Sequence, residues 1–159
     1  MTITDRAGLD GILRSAPILY LALNADPAPH VVPVCFGVEG DLLFVHGAAA
    51  GTKIDLIRAN PHVGFSACTD VSIRAGADAC SSTASGMSVV GTGRARIVED
   101  EDERTRGLDA IMRHYRSGDG APPAYRPDSL SRTCVIAIRI ATMRGKSTGD
   151  APESSPGSR

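Results

Sequence analysis

The sequence predicts a mainly β fold, a small six-stranded β-barrel with helical additions. Three observations carry this. Six runs of strand-like pattern are separated by turn residues, at 18–23, 30–38, 42–46, 63–67, 87–99 and 134–140. A Glu39-Gly40-Asp41 turn joins two of them as a hairpin, because glycine can take the positive φ a tight reversal needs. Only three stretches have helical spacing, and two of these fall between strands, which suits a meander capped by helices.

Taken in order, residues 2–5 fit a helix-capping box. Leu9, Ile12, Leu13 and Ala16 follow at helical spacing, so a first amphipathic helix is expected over 4–15, ended by Pro17. Residues 18–23 are apolar on both faces, as in a strand covered on two sides, and Asn24 to Pro27 turn the chain. Residues 30–38 and 42–46 are then expected to pair with each other. Ile54, Leu56 and Ile57 mark a short helix over 52–59, stopped by Asn60-Pro61. Val63, Phe65 and Ala67 alternate as a fourth strand. Residues 70–85, rich in Ala, Ser, Gly and Asp without a period, read as a loop over one end of the sheet.

Residues 87–99 alternate as a fifth strand, with Gly91 and Gly93 signalling a bend or a close backbone approach. A long helix follows over 100–115. Its first turn is acidic, and Leu108, Ile111, Met112 and Tyr115 form its buried stripe. Residues 117–132 are rich in Gly and Pro and read as a loop. Cys134, Ile136, Ile138 and Ile140 alternate through the last strand, with Val135 and Ala137 filling part of its other face. From Gly145 onward the chain is too poor in apolar residues to offset its ordering entropy. One domain over 1–147 and a disordered tail over 148–159 are therefore expected.

Composition narrows the function. With 159 residues, 42% hydrophobic and 22% charged, the chain has the balance of a globular domain. A net charge of −1 argues against a nucleic-acid partner. The longest apolar run, residues 16–23, is too short to span a bilayer, and residues 1–15 lack the apolar core of an export signal. A cytoplasmic protein without membrane contact is the expectation. Cys35, Cys68, Cys80 and Cys134 are scattered without Cys-x-x-Cys spacing and read as free thiols. The four histidines lack zinc-binding spacing, so no metal site is expected. No Gly-x-Ser-x-Gly elbow is present, and Gly91-Thr92-Gly93 lies within a strand, out of context for a dinucleotide fingerprint.

The chemistry-bearing stretch is the strand Val32-Pro33-Val34-Cys35-Phe36-Gly37, the turn, and then Leu42 to His46 running into Gly47-Ala48-Ala49-Ala50-Gly51-Thr52-Lys53. Small residues let backbone N–H groups approach an anion. Gly51-Thr52 opens a helix whose amide end favours negative charge, Thr52 adds a hydroxyl, and Lys53 adds a cation. That is a phosphate cradle; the bland alternative is a solvated lysine beside an ordinary turn. Pro33 cannot donate into a ladder and is expected at an edge or bulge, where neighbouring backbone groups can face a ligand. His46, ending its strand, is read either as a proton-transferring or ligand-orienting residue or as a hydrogen-bonded packing residue.

The order of these parts resembles the pyridoxamine 5'-phosphate oxidase-like flavin-binding superfamily, most closely its nitroimidazole-resistance branch. That branch has a Pro-x-x-Phe/Tyr-Gly strand, a His-Ser-Ala turn and a Gly-Lys-Lys helix start. The resemblance covers residues 4 to about 147. It implies an FMN-binding split β-barrel that dimerises side by side, with two flavin sites drawing residues from both chains. By position, Pro33, Val34, Cys35, Phe36, His46, Gly47, Ala48, Thr52 and Lys53 would line the cofactor. Ser88, matching a later Ser-Val pair, would reach toward it. Arg144-Gly145-Lys146 matches a closing Gly-Lys. The sequence departs from the pattern at Cys35, where Asn is frequent, at Gly47, where Ser is usual, at Thr52, which replaces the first lysine, and at Gly86-Met87, where an aromatic-Arg pair often precedes the Ser-Val.

The resemblance implies an FMN-dependent oxidoreductase reducing a nitro or other electron-poor small molecule with NAD(P)H. The substrate would lie near His46, under the loop of residues 70–85. Three alternatives stay open: a non-catalytic flavin or haem binder using His46 or His62, a deazaflavin-using relative, and a scaffold with no cofactor.

Overall fold

The computed structural model describes residues 1–116, 125, 126 and 132–149. The chain runs β1 (Thr2–Ile3), α1 (Arg6–Ser15), β2 (Leu19–Leu23), β3 (His30–Val34), β4 (Phe36–Glu39), β5 (Leu42–Ala48), α2 (Thr52–Ala59), β6 (His62–Arg74), β7 (Thr83–Ile97), α3 (Glu101–Tyr115) and β8 (Thr133–Thr148), with a 3-10 turn at Ala79–Ser81. One antiparallel sheet forms in the order β3-β2-β6-β7-β8-β5-β4, and β1 pairs outside this path with β8. Strands β3 and β4 stand at the two ends of the path, yet only Cys35 separates them in sequence. The sheet must therefore curl until its ends meet. No ladder closes them among the described residues, so the mainly β architecture is a barrel split between β3 and β4.

Several expectations change. Residues 30–38 are two strands with different partners. His30–Val34 pairs with β2, and only Phe36–Glu39 forms the hairpin with β5. The six expected strands become eight segments, and the order departs from a meander at both ends. Residues 70–85 are not a loop: β6 and β7 continue as a ribbon past a register shift, pairing Ser72 with Ser85, Ile73 with Ala84 and Arg74 with Thr83. Helix α1 is capped by Asp5, whose carboxylate accepts from the Gly8 N–H at 2.8 Å, while Thr2–Ile3 is a strand. Strand β8 runs through Gly145 to Thr148, beyond the expected end near Ile140. The rest of the predicted tail and most of the predicted loop of residues 117–132 lie outside the described residues.

The barrel interior is filled by alternate side chains: Leu19, Leu21 and Leu23 of β2, Val63, Phe65 and Ala67 of β6, and Ile136 and Ile138 of β8. Leu9, Ile12 and Leu13 of α1 and Ile54 and Ile57 of α2 pack onto the same core. Strand β2 is buried on one face only, with Tyr20 exposed; the strands covered on both faces are β5 and β8. Their second face packs Phe44, Val135 and Ala137 against Leu108 and Ile111 of α3. Gly37 lets that helix sit on β4, since a Cβ there would come within 2.3 Å of the Ala110 backbone. No helix among the described residues is long and apolar enough to cross a membrane.

Candidate functional site

The split leaves an opening where β5 outruns β4. The β4 ladder ends at Phe36 opposite Val45, so His46, Gly47 and Ala48 are paired on one side only, to Val135, Cys134 and Thr133 of β8. Beyond Ala48 the chain turns through Gly51, whose φ of +118° favours glycine, and enters α2. No side chain caps that helix start, so its positive amide end is open to an anion.

Lys53, in the first turn of α2, folds back over β5. A Cβ on Gly47 would lie 2.8 Å from its Nζ. The ammonium thus occupies the space a side chain at position 47 would fill. Arg6, Arg96, Arg106 and Arg113 pair with carboxylates, whereas Lys53, like Arg14, Arg94 and Lys146, has no carboxylate within ion-pair distance among the described residues. Its charge is felt on both sides of the Gly47–Cys134 pair. His46 titrates below its ordinary value, first because its ring is partly desolvated and second because Lys53 repels its proton. The Cys134 thiol is pushed up by burial, with Lys53, Arg104 and Arg58 opposing. At neutral pH His46 is a neutral imidazole beside an uncompensated cation.

The strand residues divide by face. Pro33 and Cys35 are exposed, and Pro33 lies on the sheet's edge strand, as its missing N–H requires. Val34 and Phe36 point into the core. The Phe36 N–H donates to the Tyr115 hydroxyl at 3.2 Å, and that hydroxyl donates to the Pro17 carbonyl at 2.9 Å. His114 adds to this grip: its ring lies 4.4 Å from that of Phe36, and its Nε2 is 2.8 Å from the Ala16 carbonyl oxygen. The last turn of α3 thereby ties the start of β4 to the chain entering β2. Helical spacing places Tyr115 on the packed face but carries no sign of this polar role.

His46, Gly47, Ala48, Thr52 and Lys53 thus follow one another along β5, its turn and α2, while Pro33 and Cys35 are exposed at the break between β3 and β4. Ser88 does not join them within one chain. It pairs with Cys68 and with Lys146, toward the far end of β8 from Val135, and lines a separate hollow of about 230 Å³ with Cys68, Ser85 and Met87. A larger hollow of about 640 Å³ lies on the outer sheet face, over Ala22, Gly64 and Thr92 with His62 and Arg94 at its edge. Among the described residues no group of three or more His, Cys, Asp or Glu could hold a metal ion, and all four cysteines are free.

Comparison with known proteins places this geometry. A candidate 5-nitroimidazole antibiotic resistance protein from Bacteroides thetaiotaomicron superposes with a TM-score of 0.80 at 26% identity, over 93% of this chain and 87% of that one. An FAD and haem binding protein from Mycobacterium smegmatis gives 0.78 at 24% identity, over 97% and 76% of the two chains. A flavocytochrome from Azotobacter vinelandii gives 0.77 at 21% identity, over 96% and 73%. The last two likenesses speak to the fold alone. No curated protein matches the sequence significantly. The pattern of the pyridoxamine 5'-phosphate oxidase family matches residues 5–147, nearly the whole described length. With its curled, unclosed sheet and an opening at the β3–β4 split, the chain belongs to the pyridoxamine 5'-phosphate oxidase family and has its flavin-binding split-barrel fold.

Proposed function

We propose that this protein binds FMN at the split and is an oxidoreductase that reduces an electron-poor small molecule, such as a nitro compound, with NAD(P)H. The observation that carries the reading is the uncompensated Lys53 ammonium, folded over Gly47 beside an uncapped helix start. An anion is the missing partner, and a flavin phosphate has the charge and size for it. The likeness to the Bacteroides protein supports the choice of substrate class. When bound, a flavin accepts a hydride from a nicotinamide and passes it to an acceptor.

The residues divide the work. Lys53, the hydroxyl of Thr52 and the first-turn amides of α2 hold the phosphate. The exposed backbone at Pro33 and Cys35 and the unpaired edge at Gly47 and Ala48 meet the polar rim of the ring. Val34 and Phe36 act from behind, as core residues that fix that strand. His46, neutral at pH 7, can take a proton from solvent at one ring nitrogen and deliver one from the other to a reduced substrate atom. Two copies packed side by side would complete each site and bring the partner's Ser88 to it. The exposed Tyr20, Val31 and Val90 on the outer face support such packing. A cytoplasmic location fits a nicotinamide donor.

The first test is direct: denature the purified protein and identify the released chromophore by chromatography. FMN is expected, and an apo protein that takes up none on reconstitution sinks the reading. Replacing Lys53 by Ala should weaken FMN binding by about 1.5–3 kcal/mol, the range for a hydrogen bond to a charged group. Titration of flavin fluorescence checks it. A second reading, haem ligated by His46, is motivated by the haem-binding neighbour; a Soret band in the purified protein would favour it.

A further inference from the structure

We propose that Gly47 is the positioning residue of the anion site: its bare Cα is the seat that draws the Lys53 ammonium onto the β5–β8 ladder, where it waits for phosphate. This rests on the FMN reading for the identity of the anion, but not for the seat itself. The geometry leaves little alternative for the side chain at 47. The Lys53 Nζ would stand 2.8 Å, and its Cε 3.5 Å, from any Cβ added there. Carbon and nitrogen in ordinary contact keep roughly 3.5 Å or more apart. Alanine or serine must therefore push the ammonium outward. Gly47 is not needed for backbone freedom, because the non-standard φ in this turn belongs to Gly51. The glycine instead makes room.

Three features show that the seat holds a charge rather than a packed alkyl chain. Lys53 has no carboxylate partner among the described residues, and unlike Arg14 or Arg94, which also have none, it stands in the first turn of a helix that no side chain caps. The 2.8 Å approach to Gly47 places the ammonium over the ladder, and its charge lowers the His46 midpoint and opposes the burial-driven rise of Cys134, the ladder partner of Gly47. Finally, Thr52 leaves Lys53 as the lone lysine of the helix start. A site with one cation in this turn depends on where that cation stands.

The test is a double-mutant cycle on the full chain, Gly47→Ala, Lys53→Ala and the pair, read in two ways. The first reading is FMN affinity from flavin fluorescence quenching, with thermal melts verifying folding. Gly47→Ala should weaken FMN on the order of three- to tenfold. Added to Lys53→Ala it should do nothing more, because the residue acts only through Lys53. The second reading is the NMR titration of His46 in flavin-free protein. Removing Lys53 should raise the His46 midpoint, Gly47→Ala should raise it part of the way, and the pair should match Lys53→Ala alone. Additive losses of FMN affinity, or a His46 midpoint unmoved by Gly47→Ala, overturn the seat. If the parent chain binds no FMN while the His46 titrations behave as described, the flavin reading fails and the seat stands; if Lys53→Ala leaves FMN binding intact, the phosphate role of Lys53 fails. Should Gly47→Ala fold poorly, Gly47→Ser carries the His46 titration alone, since its hydroxyl can itself donate to a phosphate; a His46 midpoint unmoved in that variant overturns the seat.

Discussion

His46 shows what a neighbouring cation and partial desolvation do to a single side chain. Both favour the neutral ring, so its folded midpoint lies below the value of about 6.5 in an unfolded chain. The unfolded chain then binds more protons than the folded one between those two midpoints. Stability is full above the unfolded value and declines as pH falls through it. His46→Gln should flatten this: the difference in urea midpoint between pH 8 and pH 5.5 should be smaller in the variant than in the parent. An equal difference would mean that His46 does not feel its neighbours in this way. At this scale the sequence was informative, because glycine, threonine, lysine and histidine are close along one strand-turn-helix and chain connectivity alone brings them together. What it did not reveal was direction. That Lys53 turns back over Gly47 depends on a through-space contact to which neither residue type points.

Among elements, the last turn of α3 matters most for the opening. The Tyr115 hydroxyl accepts from the Phe36 N–H and donates to the Pro17 carbonyl, tying the start of β4 to the chain entering β2. Tyr115→Phe removes both bonds and leaves a partly buried N–H without its acceptor, so a loss of about 1–2 kcal/mol is expected, measured by urea denaturation. An unchanged midpoint would mean that the grip is dispensable. The break at Cys35 was hidden from pattern reading for a definite reason. Val34 and Phe36 both point inward and Cys35 outward, so period-two alternation passes through the break undisturbed. Alternation reports which face is buried, not which strand lies alongside. The ribbon was missed for the opposite reason. Every residue from Asp70 to Ala84 is exposed, so there is no buried apolar face for a period to mark, and its strands are joined by backbone pairing and by a 2.8 Å hydrogen bond between the Ser72 and Ser85 hydroxyls. Helix α2 matched closely because Asn60-Pro61 stops it, and α3 because Asp100 caps its acidic first turn.

For the whole molecule, the deciding feature is the outer face of β2, β6, β7 and β8. In register, Pro33, Tyr20, Ser66, Val90 and Arg144 form one row across it, and Val31, Ala22, Gly64, Thr92 and Thr142 the next. Tyr20, Val31 and Val90 are about half exposed, at 47%, 55% and 55%. The small residues Ala22 and Gly64 leave the 640 Å³ hollow beside them. Large apolar side chains next to a trough of small ones are self-complementary, as a two-fold contact between identical chains requires. The barrel's split edge at Pro33 continues the first row, so a copy seated there would also border the proposed flavin site. Val90→Glu puts a charge at the middle of this face without touching the core, since its side chain points to solvent in one chain. The proposed side-by-side dimer predicts a dimeric parent and a monomeric variant by analytical ultracentrifugation, with an unchanged circular dichroism spectrum and, if FMN sits at the split, a reduced fraction of it retained through gel filtration. A variant that remains dimeric and keeps its flavin would place the contact on another face. A monomer that keeps its flavin would show that one chain completes the site, and that Ser88, far from His46 along β8, has no part in it.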